Sequence, residues 1–276
     1  MKRLACLLLV LAMTCLAAGC RWQKQAERQD WKEIEEKGVL RIGVTECAPF
    51  SQKGADGSWS GFDMDLARSV CRQLGLEPEF VELDWSGRVE ALNQGEVDCL
   101  WSGITARSDL LETLDFTQTY LASRPALVIR WDEVEQYQTA EQLKGKTVAV
   151  EAGSAGQSAA LACLPDVSVA SVGSQKAALE EVQKGLAQGA VVDHLVAQAA
   201  VEAHRELTVQ TRVELGTEEL AVALPHDSDL TGRLNRASFG AAGGRYLGYT
   251  GGAVRAHRWI DFRLSRGFPW HSNIYL

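Results

Sequence analysis

The chain has 276 residues, 46% of them hydrophobic, and a formal net charge of −8. That length suffices for one or two lobes, each with its own apolar core. The negative balance argues against nucleic acid as a partner.

Met1-Lys2-Arg3 is a basic start, and Leu4 to Leu16 is an apolar run too short to span a bilayer as a stable helix. Ala17-Ala18-Gly19 places small residues ahead of Cys20. This predicts an export signal over 1–19, to be set aside in reasoning about the fold. Its end resembles a bacterial lipoprotein signal. That resemblance implies lipid attachment at Cys20, a membrane partner held through the lipid, and a chain at the outer face of the cell membrane or in the periplasm. Loss of Lys2 and Arg3 with the signal leaves a net charge of about −10. Cys47, Cys71, Cys99 and Cys163 then remain. They form no C-x-x-C pair and no metal-like spacing with histidine, so neither a metal nor a cofactor is expected. Partly buried free thiols are the simplest reading, although an oxidising compartment leaves a disulfide open.

Residues 20–37 read as a polar tether running into a short helix. Leu40, Ile42 and Val44 alternate as a first strand. A glycine-punctuated turn ends at Gly61. Phe62, Leu66, Ala67, Val70, Cys71 and Leu74 then follow a helical period, with Asp63 and Asp65 in the first turn and Gly75 as the stop. Phe80 to Leu83 predicts a strand, Trp85 to Asn93 a short helix, and Val97 to Trp101 a third strand. A second unit starts after Arg130: strand Lys146 to Val150, helix from Ser154 to about Leu164, strand Val167 to Val172, helix Ser174 to Gly185, strand Ala190 to Asp193. Strands alternating with helices predict a mostly parallel sheet. Leu92 to Asp98 and Leu186 to Asp193 look like two copies of one pattern: helix end, glycine cap, buried strand closing on Asp. Arg124 to Arg130 and Glu218 to Leu224 are the candidate strands joining the units.

Several pieces in this order resemble the bacterial extracellular solute-binding proteins of family 3. They include Val39-Leu40-Arg41-Ile42-Gly43-Val44, Ala48-Pro49-Phe50, Gly61-Phe62-Asp63-Met64-Asp65-Leu66, Asp84-Trp85-Ser86-Gly87, Gly95-Glu96-Val97-Asp98 and Ser102-Gly103-Ile104-Thr105. Leu114-Asp115-Phe116-Thr117, Leu143-Lys144-Gly145-Lys146-Thr147-Val148-Ala149-Val150 and Val192-Asp193 continue the series. The resemblance implies an α/β fold of two lobes joined by two hinge strands, with a ligand cleft between them. The divisions expected are lobe 1 over 38–125 plus 225–236, lobe 2 over 126–224, and an atypical tail over 237–276.

The same resemblance implies a function: the extracytoplasmic subunit of an amino acid ABC importer, a monomer and not an enzyme. Its partners would be a small amino acid-like ligand and the importer's membrane subunits. A zwitterion wants a fixed carboxylate for its ammonium, and an arginine fork or helix N-terminal amides for its carboxylate. Trp85 matches the family's cleft aromatic; the alternative is a core tryptophan. Ser102, Gly103 and Thr105 match the segment that offers backbone and hydroxyl groups. Ser154 presents a helix start, or merely caps it. Asp193 resembles the ammonium-binding carboxylate, with a plain helix cap as the alternative. Two positions depart from the pattern. Leu110 stands where the family has its carboxylate-binding arginine, so Arg107 is the nearest substitute, unless it is a solvated loop arginine. Cys47 stands where an aromatic is usual. Glu46 and Glu151 could favour a cationic side chain. In the competing reading, a dehydratase of a small carboxylic acid on the same fold, they would be the candidate acid or base.

After Ala237 the composition changes: no lysine or glutamate follows, and five arginines and seven glycines lie in 237–276. The tail reads as frameshifted near Arg236 to Ser238, or else as divergent. Read one base later, degenerate codons for Ser238 onward permit A-L-E-L-R-A-D-G-T-L, which looks like the family's own ending. A non-functional product is the outcome if that shift is real in the cell.

Overall fold

The computed structural model describes residues 28–239, 247–250 and 253–256. The signal 1–19, Cys20 and the start of the tether lie outside the described residues, as does most of the tail.

The first half contains α1 (Asp30–Lys37), β1 (Val39–Val44), the small hairpin β2 (Gln52–Lys53) and β3 (Trp59–Ser60), and α2 (Phe62–Leu74). There follow β4 (Glu77–Glu82), α3 (Arg88–Asn93), β5 (Cys99–Leu100), β6 (Leu114–Phe116) and β7 (Leu121–Ser123). The second half runs β8 (Pro125–Arg130), β9 (Thr147–Glu151), α4 (Ala155–Cys163), β10 (Ser168–Val172), α5 (Gln175–Gln183), β11 (Gly189–Asp193), α6 (His194–Ala203) and β12 (Leu207–Val209). β13 (Glu218–Leu220), β14 (Ala223–Pro225) and α7 (Leu230–Phe239) return the chain to the first half. In the tail, β15 (Leu247–Thr250) and β16 (Ala253–Ala256) form a hairpin beside β7.

Two five-stranded sheets share one plan. The first has the order β4-β1-β5-β14-β6 and the second β10-β9-β11-β8-β12. In each, the first three strands are parallel, whereas the last two pair antiparallel. The sheets are therefore mixed, a correction to the mostly parallel expectation. The physical reason is the crossing: β8 enters the second sheet directly from the first lobe, and β14 enters the first sheet directly from the second. The crossing itself is the antiparallel pair β7–β13, Leu121–Ser123 against Glu218–Leu220. Arg124 to Arg130 is thus mainly a sheet strand, and Ala223 is already in the first sheet.

The internal repeat is real but its register differs from the sequence comparison. Arg41 donates its amide to Asp98 Oδ2 at 2.7 Å, and Asp98 returns its amide to the Arg41 carbonyl at 2.8 Å. Thr147 donates to Gln188 Oε1 at 3.0 Å, and Gln188 returns its amide to Thr147 at 2.9 Å. Asp98 therefore corresponds to Gln188, and the cap Gly95 to Gly185, both with φ above +70°. Asp193 has Gly103 as its counterpart by the same count, and Glu151 has Thr45. A side chain that bonds the neighbouring strand's backbone can be Asp or Gln, so the shared function was hidden behind different residue types.

Leu40, Ile42 and Val44 pack with Met64, Ala67, Val70 and Cys71 in one apolar cluster. A second cluster on the first lobe joins Trp85, Leu92, Val97, Leu100, Ile104, Leu110 and Leu114. Each such side chain withdrawn from water contributes about 1.5–3 kcal/mol before entropy is counted. Gly61 sets the angle at which α2 meets this core. Its φ is +118°, and a Cβ there would stand 2.5 Å from the Phe50 carbonyl oxygen. The close approach lets the amides of Phe62 and Asp63 bond to the carbonyls of Pro49 and Phe50 at 3.0 Å. Asp63 is fully buried, contrary to the exposed first-turn carboxylate that its position suggests.

Candidate functional site

Parallel strands gather loops and helix starts at their carboxyl ends, and both sheets point those ends at one cleft. After β1 come Thr45 and Cys47; after β4, Trp85 and Arg88; after β5, Ser102 to Thr105 and Arg107. β9 ends on Glu151, with Ser154 just after it, and β11 ends on Asp193. All of these residues line the cleft, and Gln175, Glu218 and Leu110 complete its wall. The seven residues singled out from sequence, Trp85, Ser102, Gly103, Thr105, Arg107, Ser154 and Asp193, are thus brought together. Glu46 does not line the cleft.

Their local chemistry differs residue by residue. Ser102 is turned into the first lobe, where its hydroxyl bonds the Thr45 carbonyl at 3.0 Å and Ser51 at 2.5 Å. Gly103 donates its amide to Asp63 Oδ2 at 2.7 Å. Thr105 donates its hydroxyl to Glu218 Oε2 at 2.9 Å, linking the cleft loop to the crossing strand β13. Ser154 caps α4 by accepting the Gln157 amide at 3.1 Å, while its helix start still faces the cleft. Asp193 caps α6 through Leu195 at 2.7 Å and accepts the Ser123 hydroxyl at 2.7 Å. Asp193 is thus a helix cap, one of its two sequence readings, and it lines the cleft as well.

Trp85 likewise belongs to a core cluster and lines the cleft. One ring face is covered by the Arg88 guanidinium, 4.7 Å from the centroid. Arg88 is buried; its Nη1 bonds the Trp85 carbonyl at 2.6 Å and its Nη2 crosses to the Gly153 carbonyl at 2.8 Å. Arg107 reaches the same Gly153 carbonyl at 3.1 Å, and its Nε and Nη2 grip Asp109 at 3.0 and 2.8 Å. Gln175 completes the crossing with a bond to Cys47 Sγ at 3.4 Å. The lobes therefore touch across the cleft, in a closed arrangement.

Burial dominates the electrostatics. It raises Glu151 to about 7, eased by Arg88 and a hydrogen bond from Gln175. It also raises Glu218, which the negative charge of Asp193 raises further, and Asp193 itself. Arg88 is lowered to about 10 by burial and by Arg107. The Cys47 thiol is pushed well up by burial and by four carboxylates, so it is a neutral group here. Cys47, Cys71, Cys99 and Cys163 are free thiols, and among the described residues no acidic, His or Cys group is arranged to hold a metal.

Sequence reasoning missed Arg88, Gln175 and Glu218. Arg88 had a usable signal: it lies three residues after Trp85 on a short helix and so shares its face. Glu218 alternates with Leu220 in a buried crossing strand, an unusual place for a carboxylate.

The family model described as bacterial extracellular solute-binding proteins, family 3, matches residues 40–237. The arginine-binding extracellular protein ArtP of Bacillus subtilis (strain 168) is 24% identical over 241 residues, covering 86% of this chain and 91% of that protein. Cyclohexadienyl dehydratase of Pseudomonas aeruginosa is 27% identical over 223 residues, covering 79% of this chain and 83% of that enzyme. A Streptococcus pneumoniae ABC uptake transporter substrate-binding protein with bound histidine superposes with a TM-score of 0.72 at 26% identity. It covers 77% of this chain and 90% of its own.

Proposed function

The chain belongs to the bacterial extracellular solute-binding proteins, family 3, and on that footing we propose that it binds an amino acid-like ligand between its lobes and delivers it to an ABC importer. The observation that carries this reading is that Asp193 of the second lobe and Arg107 of the first line the same cleft. Asp193 takes the ligand's ammonium. Arg107 and the helix start at Ser154 take its carboxylate. Trp85 bounds the side chain, and Ser102, Gly103 and Thr105 hold the loop that carries Arg107. The lobes part about β7 and β13 to admit ligand and close over it. The division of lobe 1 over 38–125 with 225–236 and lobe 2 over 126–224 moves by two residues at its return, because Ala223 and Leu224 pair in the first sheet. Cys20 bears the lipid that holds the exported monomer at the membrane beside the importer's subunits. Ligand favours closure only through tighter binding to the closed form.

A thermal-shift screen of residues 20–276 against the amino acids and small carboxylates tests this. One ligand at a hundred times its Kd adds about 2.7 kcal/mol of stability. The expected Tm rise is on the order of 5 °C, without turnover. No shift with any of these compounds overturns the reading. A cleft enzyme is the second reading, favoured by Glu151, which is buried in the cleft and titrates at about 7, as a general acid requires. Conversion of a screened carboxylic acid to product would establish it in place of the first.

A further inference from the structure

Glu151 is a buried carboxylate that Arg88 steadies through charge alone, without a hydrogen bond. It ends β9 at the cleft wall and is 2% exposed. Gln175 supplies one hydrogen bond to it, and Oε1 has no partner. Gln175 is itself fixed, accepting the Asp193 amide at 2.7 Å and reaching Cys47 Sγ at 3.4 Å. A buried carboxylate oxygen without a partner is costly, so its persistence calls for a donor that arrives from outside.

The neighbouring cations do not fill that role. Both Nη atoms of Arg88 bond backbone carbonyls, its buried Nε has no partner and so makes no bond to Glu151, and Arg107 is gripped by Asp109. Three carboxylates, Glu151, Asp193 and Glu218, thus line the cleft against the one guanidinium of Arg88, while the charge of Arg107 is balanced by Asp109 from outside it. A zwitterion cancels its own charge and leaves this excess untouched. Cys47 lies beside Gln175 with a small neutral thiol, adding no charge and taking little room.

Resting on the amino-acid reading above, we propose that Glu151, oriented by Gln175 and fronted by Cys47, is the side-chain subsite and selects an amino acid whose side chain ends in a cation. The guanidinium or ammonium donates to Glu151 Oε1 while Asp193 holds the α-ammonium. A charged donor completing a buried carboxylate contributes more than a neutral amide, which leaves the charge unmatched.

Isothermal titration of residues 20–276 with L-arginine, L-ornithine, L-citrulline and L-glutamine tests this; citrulline has arginine's shape without its charge. The expected result is arginine or ornithine binding more tightly than citrulline and glutamine by on the order of tenfold or more. In Glu151→Gln that gap closes to about twofold while the Tm stays near wild type. Citrulline or glutamine binding as tightly as the cations overturns the subsite and leaves the amino-acid reading standing. So does a gap that survives in Glu151→Gln. Heat from none of the four, with no other amino acid giving a thermal shift, overturns both. If Glu151→Gln fails to fold, the wild-type comparison of arginine with citrulline decides alone.

Discussion

Asp63, on α2, accepts the Gly103 amide at 2.7 Å and so ties the core of the first lobe to the loop that carries the cleft residues. The same oxygen accepts the Tyr120 hydroxyl at 3.0 Å. Burial raises Asp63 to about 7, because these two donors offset only part of the cost of its charge. Removing the carboxylate strands two buried donors. Asp63→Ala is expected to lose about 2–4 kcal/mol in urea titration, and Tyr120→Phe about 1 kcal/mol. Asp63→Asn keeps an acceptor and loses less than Asp63→Ala. A loss below about 0.5 kcal/mol in Asp63→Ala would show that Gly103 is held by something else.

The fold was legible where period and punctuation agree. The alternation of Leu40, Ile42 and Val44, the glycine stops at Gly75 and Gly95, and the Ser154 and Ser174 caps each correspond to an element boundary. The seven cleft residues were legible through the family resemblance, and because each ends a strand or lies in the loop after one. What was hidden depends on partners far apart in sequence. Asp63 reads as a favourable first-turn carboxylate, and nothing local reveals Gly103 and Tyr120 above it. Arg88 reads as a surface helix residue, and its burial depends on Gly153, 65 positions away. The repeat looks shifted by five residues at its aspartate because Asp193 resembles Asp98, whereas the residue playing the role of Asp98 is Gln188.

The buried carboxylates set the sign of the pH dependence. Asp63 and Glu151 are raised to about 7, from unfolded values of 3.8 and 4.5, and Asp193 and Glu218 are raised as well. The folded chain keeps protons that the unfolded chain releases, so this contribution is full below about pH 4 and is lost as pH rises through 7. Depressed carboxylates such as Asp56, Asp84 and Asp132 act the other way, but only at acid pH, and their contribution is already complete at pH 6.5. His194, held at about 4 by burial, opposes the trend mainly below pH 6.5. In moderate salt and without ligand, the Tm at pH 8 should fall below that at pH 6.5 by on the order of 2 °C. Glu218→Gln should flatten the slope. Calorimetry at the two pH values checks this, and a Tm that rises with pH contradicts it.

Arg88 and Arg107 converge on a single carbonyl, that of Gly153 in the opposite lobe, and this bears on closure. Two guanidiniums repel each other, and Arg107 is among the causes that lower Arg88. A carbonyl with two lone pairs receives both, and Glu151 offsets part of the charge. The bond from Arg88 exists in the closed arrangement and is absent once Gly153 moves away with its lobe. Arg88→Met keeps most of the stem over Trp85 and removes both Nη donors. The ligand-free variant should therefore shift toward the open form, seen as a larger radius of gyration in small-angle scattering. Its affinity for any ligand of the wild type should fall on the order of tenfold, since closure is then less favourable before the ligand arrives. A guanidinium that only contacts ligand would change the affinity and leave the ligand-free scattering alone. Unchanged scattering in Arg88→Met thus removes Arg88 from the closing step, whatever happens to the affinity.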